Sequence, residues 1–208
     1  AVLIACGVNA QGHRDVLGCS ISMSEAEIHW RQFLSSLKDR GVHGVELITS
    51  DAHEGLGAAR KAVFPSVPWQ RCQFHLQQNA GQYVPSQSMR QPVAADIRSI
   101  FQAPNREEAQ RLLDKFIDQH TEEMPKLVQW AEENLPEGFT VFSLPAKHRR
   151  RLRTTNLLER VNQEIRRRTR VVRLFPNEAS CLRLVSALLM EISDEWQTAD
   201  KRYLTNDD

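Results

Sequence analysis

Glu159 stands in a segment, Thr154 to Val172 (TTNLLERVNQEIRRRTRVV), that begins polar and ends in a run of arginines. A second basic run, Lys147-His148-Arg149-Arg150-Arg151-Leu152-Arg153, lies directly before it. A carboxylate able to hold a divalent cation, next to guanidinium groups able to hold phosphates, is a combination suited to phosphodiester chemistry. From Ala146 to Arg173 one Lys and ten Arg stand against Glu159 and Glu164, a net charge of +9; the whole chain carries +1, so the remainder carries −8. So lopsided a segment is an electrostatic footprint for a polyanion. Ten Arg to one Lys favours bidentate phosphate contacts, although a solvated helix face is the commonest fate of a charge run. Helical spacing puts Glu159, Asn162, Gln163 and Arg166 on one face and Leu158, Val161 and Ile165 on the other. A polar face of this kind suits an active-site wall. The rival reading is a capping box, with Asn156 as N-cap and Glu159 at the third helical position.

Asp51 is the second candidate. It follows the apolar run Val45 to Thr49 (VELIT), just past the end of a predicted strand, where α/β folds present ligands and catalytic groups. Ser50 and Asp51 are also good N-caps for the helix expected to follow. Cys72-Gln73-Phe74-His75 is the third feature. It is one half of a C-x-x-H zinc pair with no second pair at ligand spacing, so a buried Cys and a hydrogen-bonded His are the plainer reading.

The elements around these residues follow from periodicity. A chain of 208 residues with 41% hydrophobic content is long enough to bury a core. Val2 to Val8 and Asp15 to Ser22 read as two strands joined by a turn at Asn9 to Gly12. Ser24-x-x-Glu27 reads as a capping box opening a helix with Ile28, Phe33, Leu34 and Leu37 on its apolar face and Gly41 at its end. The strand at Val45 to Thr49 precedes a helix reaching about Phe64. Val67 to Phe74 is strand-like, with Pro68 favouring an edge. Helical periodicity then takes over at Ala94 to Gln102, Arg106 to His120 and Glu123 to Asn134, and again at Asn177 to Trp196. The fold class is therefore α/β, in the order β-β-α-β-α-β followed by helices. No window approaches 18 uncharged apolar residues, so no transmembrane helix is expected. Ala1 to Val8 has neither the basic flank nor the cleavage site of a signal peptide. Four scattered cysteines, Cys6, Cys19, Cys72 and Cys181, fit a reducing, intracellular setting.

Nearly end to end, the chain resembles the catalytic domain of Mutator-type transposases of bacterial insertion sequences. The resemblance rests on VLIACGVNAQGHRDVLG, SEAEIHWRQFLSSLKDRG, LITSDAHEGL around Asp51, WQRCQFH with Cys72 and His75, and TTNLLERVNQEIRRRTRVVRLFPNEASCLRLVSALLMEISDEW with Glu159. It implies an RNase H-like mixed sheet with an all-helical insertion, divided as 1–84 (core), 85–150 (insertion) and 151–208 (core helices). It implies a DDE triad binding two divalent ions, Mg2+ or Mn2+, with Asp51 as the second acid and Glu159 as the third. Cys72 and His75 match the family's C-x-x-H, an active-site support element, and Asn162 is grouped with them. Arg149, Arg150, Arg151, Arg153, Arg166, Arg167, Arg168 and Arg170 are expected on DNA phosphates. Ala52 and Glu54 stand where the family often has Gly and Lys.

In the family the first Asp lies on the strand before the hairpin. No segment here matches it, and Asp15 is no substitute. The expectation is a fragment lacking the first strand and the first acid, inactive as given. The intact enzyme would be a homo-oligomer acting on insertion-sequence ends and target DNA in the bacterial cytoplasm, at the nucleoid, with no membrane partner. A structure-selective nuclease or resolvase on the same fold, a non-catalytic DNA-binding remnant and a helical protein-interaction module are the alternatives.

Overall fold

The computed structural model describes residues 1–170, 175–200 and 202–205. The end of the arginine-rich segment, Val171, Val172 and Arg173, lies outside the described residues. The elements run β1 (Val2–Val8), β2 (Arg14–Ile21), α1 (Glu27–Asp39), β3 (Ile48–Ser50), α2 (Glu54–Val63), β4 (Trp69–Arg71), α3 (Gln73–Ala80), α4 (Gln87–Phe101), α5 (Arg106–His120), α6 (Pro125–Asn134), α7 (Ala146–Leu152), α8 (Asn156–Thr169) and α9 (Glu178–Gln197). The mixed α/β class is as expected. Among the described residues the strands form two separate two-stranded sheets, β1–β2 and β3–β4. The chain forms two compact units, Ala1–Val45 with His53–Ser66 and Asn156–Asp208, and Glu46–Ala52 with Val67–Thr155.

The first unit is built on the antiparallel hairpin, paired from Val2↔Ile21 to Val8↔Arg14 with a bulge at Ala5/Cys6. The Asn9 side-chain oxygen accepts from the backbone N–H groups of Gln11 and His13 at 3.1 and 2.9 Å, and Gly12 turns the chain with φ +84°. That left-handed conformation is the reason for a glycine there. The apolar stripes of α8 and α9 bury Val161, Ile165, Val185, Leu189 and Ile192 with Ile4 of β1. Helix α9 starts where its cap predicts: the Asn177 side chain accepts from Ser180 N–H at 2.8 Å. Helix α1 does not. It starts at Glu27 with Ala26 as N-cap and no side-chain cap bond, so the Ser24 capping box is not formed. Ile28 is 61% exposed, whereas Phe33, Leu34 and Leu37 are buried. The reason lies in packing: a Cβ on Gly55 of α2 would stand 2.5 Å from Glu25 O, so α2 presses on the segment that leads into α1.

The second unit holds the parallel pair β3–β4, in register Ile48↔Trp69 to Ser50↔Arg71. The expected strand Val67 to Phe74 shrinks to three residues because α3 begins at Gln73. Helices α3 to α6 bury Leu76, Ile97, Phe101, Leu113, Phe116 and Leu127 in one cluster. Helix α4 starts at Gln87, earlier than expected, capped by Ser86 and continuing through Pro92. Gln70 of β4 is fully buried. Its amide N–H2 donates to Arg71 O at 2.6 Å and Gly138 O at 3.0 Å, and its Oε1 accepts from Val141 N–H at 2.7 Å. Gln70→Ala should therefore strand a buried N–H, costing about 2–3 kcal/mol and lowering the thermal midpoint by roughly 5–10 °C. An unchanged midpoint would show that these bonds are replaceable. Among the described residues no helix is long and apolar enough to cross a membrane.

Candidate active site

Asp51 is the first residue after β3, at the carboxyl end of the parallel pair. Its position is braced through Ser50, whose hydroxyl accepts from Trp69 Nε1–H at 2.9 Å and donates to Asp51 O at 2.9 Å. Ser50 O accepts from Cys72 N–H at 2.9 Å, which ties the strand end to the entry of α3. Helix α2 begins at Glu54 with His53 at its N-cap, so Asp51 is not the cap that its sequence context allowed. Its side chain is 51% exposed, and Oδ1 lies 2.5 Å from Nδ1 of His75.

The C-x-x-H spacing now has a structural meaning. Cys72 is the N-cap residue of α3 and His75 the third residue of the helix. The two side chains therefore share the helix's opening turn. The Cys72 side chain is fully buried, and its Sγ accepts from the N–H and the hydroxyl of Thr155, each at 3.4 Å. The ligand atoms of Asp51, Cys72 and His75 all lie within 4.8 Å of one another. Two further bonds hold the same segment: Thr49 Oγ1 donates to Leu152 O at 2.8 Å, and Gln73 N–H donates to Arg153 O at 3.0 Å.

Glu159 and Asn162 lie on α8, both half-buried, with Val161 and Ile165 buried on the opposite face as the helical spacing requires. The helix already includes Asn156, so Thr155 stands ahead of it. The basic residues divide by what holds them. Arg149 donates through Nε to Leu144 O at 2.8 Å, through Nη1 to Pro104 O at 2.6 Å and through Nη2 to Phe142 O at 3.1 Å. That guanidinium cross-braces the backbone. Arg167 and Arg168 both donate to Glu164, at 2.5 and 2.9 Å at closest, and Arg168 also pairs with Glu191. Those bonds, from Arg167 first and Arg168 second, hold the Glu164 carboxyl down at about 2. Burial, and then the neighbouring Arg150, lower the pKa of Arg153. Arg150, Arg151, Arg166 and Arg170 are exposed.

Residues 1–199 match the family model of the Mutator-family transposases. The chain belongs to that family. It is 62% identical over 204 residues to the transposase of insertion sequence element IS406 from Burkholderia multivorans, covering 98% of this chain and 52% of that protein. It is 41% identical over 208 residues to the ISRM5 transposase of Rhizobium meliloti, covering 100% of this chain and 52% of that protein. The IS256 transposase of transposon Tn4001 from Staphylococcus aureus is 38% identical over 210 residues, covering 98% of this chain and 52% of that protein. The chain thus spans about half the length of the curated relatives it matches. In this Mutator-family transposase chain, sequence reasoning missed Thr155, Ser50 and Trp69 as supports of the site. Only a Thr at the start of the Glu159 segment and a Trp after Pro68 hinted at them, and neither spacing is diagnostic.

Proposed function

We propose that this chain is part of the RNase H-like catalytic domain of a DDE transposase that cuts DNA at insertion-sequence ends and joins it to target DNA. One observation carries the reading: an exposed carboxylate, Asp51, stands at the carboxyl end of a parallel strand pair in a chain that matches the Mutator transposases over residues 1–199. Asp51 and Glu159 are the second and third acids of the triad. Residues 85–150 are the helical insertion of that fold.

The donor chemistry fits hard cations. Asp51 offers a solvent-facing carboxylate, and hard ions such as Mg2+ or Mn2+ prefer oxygen donors. When bound, two such ions supply the charge stabilisation that phosphoryl transfer needs. The chain's own residues do the positioning. His75 orients the Asp51 carboxylate from Nδ1. The Cys72–Thr155 contact fixes Thr155 against the opening turn of α3, beside His75. Arg150, Arg151, Arg153, Arg166 and Arg170 neutralise DNA phosphates and set the register of the strand without choosing its sequence. Arg167 and Arg168 contribute less, because Glu164 already offsets part of their charge. The full-length protein works as a homo-oligomer.

A strand-transfer assay with full-length protein, insertion-end DNA and Mg2+ tests this reading. Joined products that vanish with a chelator are expected. Cleavage without joining would favour a structure-selective nuclease. DNA binding with no Mg2+-dependent cleavage would favour a non-catalytic remnant. The 208 residues alone, with two of three acids, should neither cleave nor join.

A further inference from the structure

We propose that Asp51, Cys72 and His75 form a site for one divalent cation of the borderline-soft Zn2+ class, and that its occupation withholds Asp51 from Mg2+. A lone C-x-x-H carries no such site, since it gives two ligands. The fold supplies the third: the carboxylate at the end of β3 stands against the opening turn of α3, and the three ligand atoms lie within 4.8 Å of one another. Sulfur, nitrogen and oxygen donors together suit Zn2+ or Co2+ and suit Mg2+ poorly.

Metal–ligand bonds of about 2.0–2.3 Å set tetrahedral ligand atoms roughly 3.3–3.8 Å apart. No separation need close by more than about 1 Å, and the 2.5 Å approach of Asp51 to His75 must open by about 0.8 Å. The Asp51 side chain, 51% exposed, has the freedom to move away from His75. Three protein ligands leave one coordination position to solvent on the exposed side. The surroundings of the sulfur suit a metal ligand. Cys72 caps the positive end of α3, and Thr155 donates two hydrogen bonds to Sγ, the outer-shell support that metal-bound sulfur receives. Ligation would release the thiol proton to solvent.

Binding does not depend on the catalytic reading; only the competition for Asp51 rests on it. The reduced 208-residue chain is titrated with Co2+ and watched for sulfur-to-cobalt charge transfer and the visible bands of tetrahedral cobalt. One equivalent should bind, be displaced by one equivalent of Zn2+, and resist a large excess of Mg2+. Cys72→Ser should abolish the charge-transfer band, and Cys19→Ser and Cys181→Ser should keep it. Because Cys72 is buried, Asp51→Asn and His75→Gln serve as milder variants. Each should weaken binding about tenfold or more with an unchanged circular dichroism spectrum. No band in the unmodified chain would overturn the site, as would a band indifferent to Asp51→Asn and His75→Gln. In the full-length protein, Zn2+ well below the Mg2+ concentration should inhibit cleavage, reversibly on chelation. Cobalt binding without zinc inhibition would overturn the competition while leaving the catalytic reading to its own assay.

Discussion

Asp51→Asn and Glu159→Gln, each introduced into the full-length transposase, should reduce Mg2+-dependent cleavage at insertion-sequence ends at least about 10³-fold and leave DNA affinity within about twofold. The two effects separate because a metal ligand acts on charge that develops in the transition state, whereas phosphate contacts are made in the ground state as well. Neither change should unfold the protein. Asp51 is half exposed at a strand end, and Glu159 lies on the polar face of α8 opposite Val161 and Ile165. His75→Gln should fall in between, at about 10–100-fold, because it removes an orienting partner and keeps the carboxylate. Quantitative cleavage with in vitro binding on the same preparations checks all three. Substantial cleavage by either acid variant would remove that acid from the triad.

The arginines should sort the same way in solution as they do in the structure. Arg150→Ala, Arg166→Ala and Arg170→Ala combined should weaken DNA binding about equally across sequences. They should flatten the salt dependence by roughly 0.9 in slope for each phosphate that is no longer neutralised. Arg149→Ala should leave that slope alone and lower thermal stability instead, because its guanidinium donates to three backbone carbonyls. Filter binding over a salt series, with melting curves on the same variants, distinguishes the two groups. A loss confined to one DNA sequence would mean base readout. No loss at all would return the exposed arginines to a solvated face.

The sequence was most legible where local chemistry decides structure. The hairpin follows from two apolar runs around Asn9 and Gly12, α5 matches Arg106 to His120 at both ends, and α9 starts at its Asn177 cap. It was least legible where packing overrides local preference. Ser24-x-x-Glu27 has the letters of a capping box, yet α1 starts at Glu27 because the segment before it packs against Gly55. The helix expected from Ala94 instead starts at Gln87, from a cap at Ser86, and passes through Pro92. The site divided similarly. Asp51, Cys72, His75 and Glu159 stood out by type and spacing. That Asp51 meets His75, that Cys72 accepts from Thr155, and that Arg149 reaches Pro104 O all depend on residues far apart in sequence, beyond any local periodicity.

The central claim is that Asp51 holds a divalent ion during phosphoryl transfer. Replacing its oxygen donors by sulfur tests this most directly. Full-length Asp51→Cys, kept reduced, should be inactive with Mg2+, which binds thiolate poorly, and regain measurable cleavage with Mn2+, which tolerates sulfur better. Glu159→Cys should behave likewise, and a change at an arginine should not show the switch. An Asp51→Cys protein that keeps its Mg2+ activity, or that is folded and DNA-bound yet equally inactive with both ions, would contradict the account.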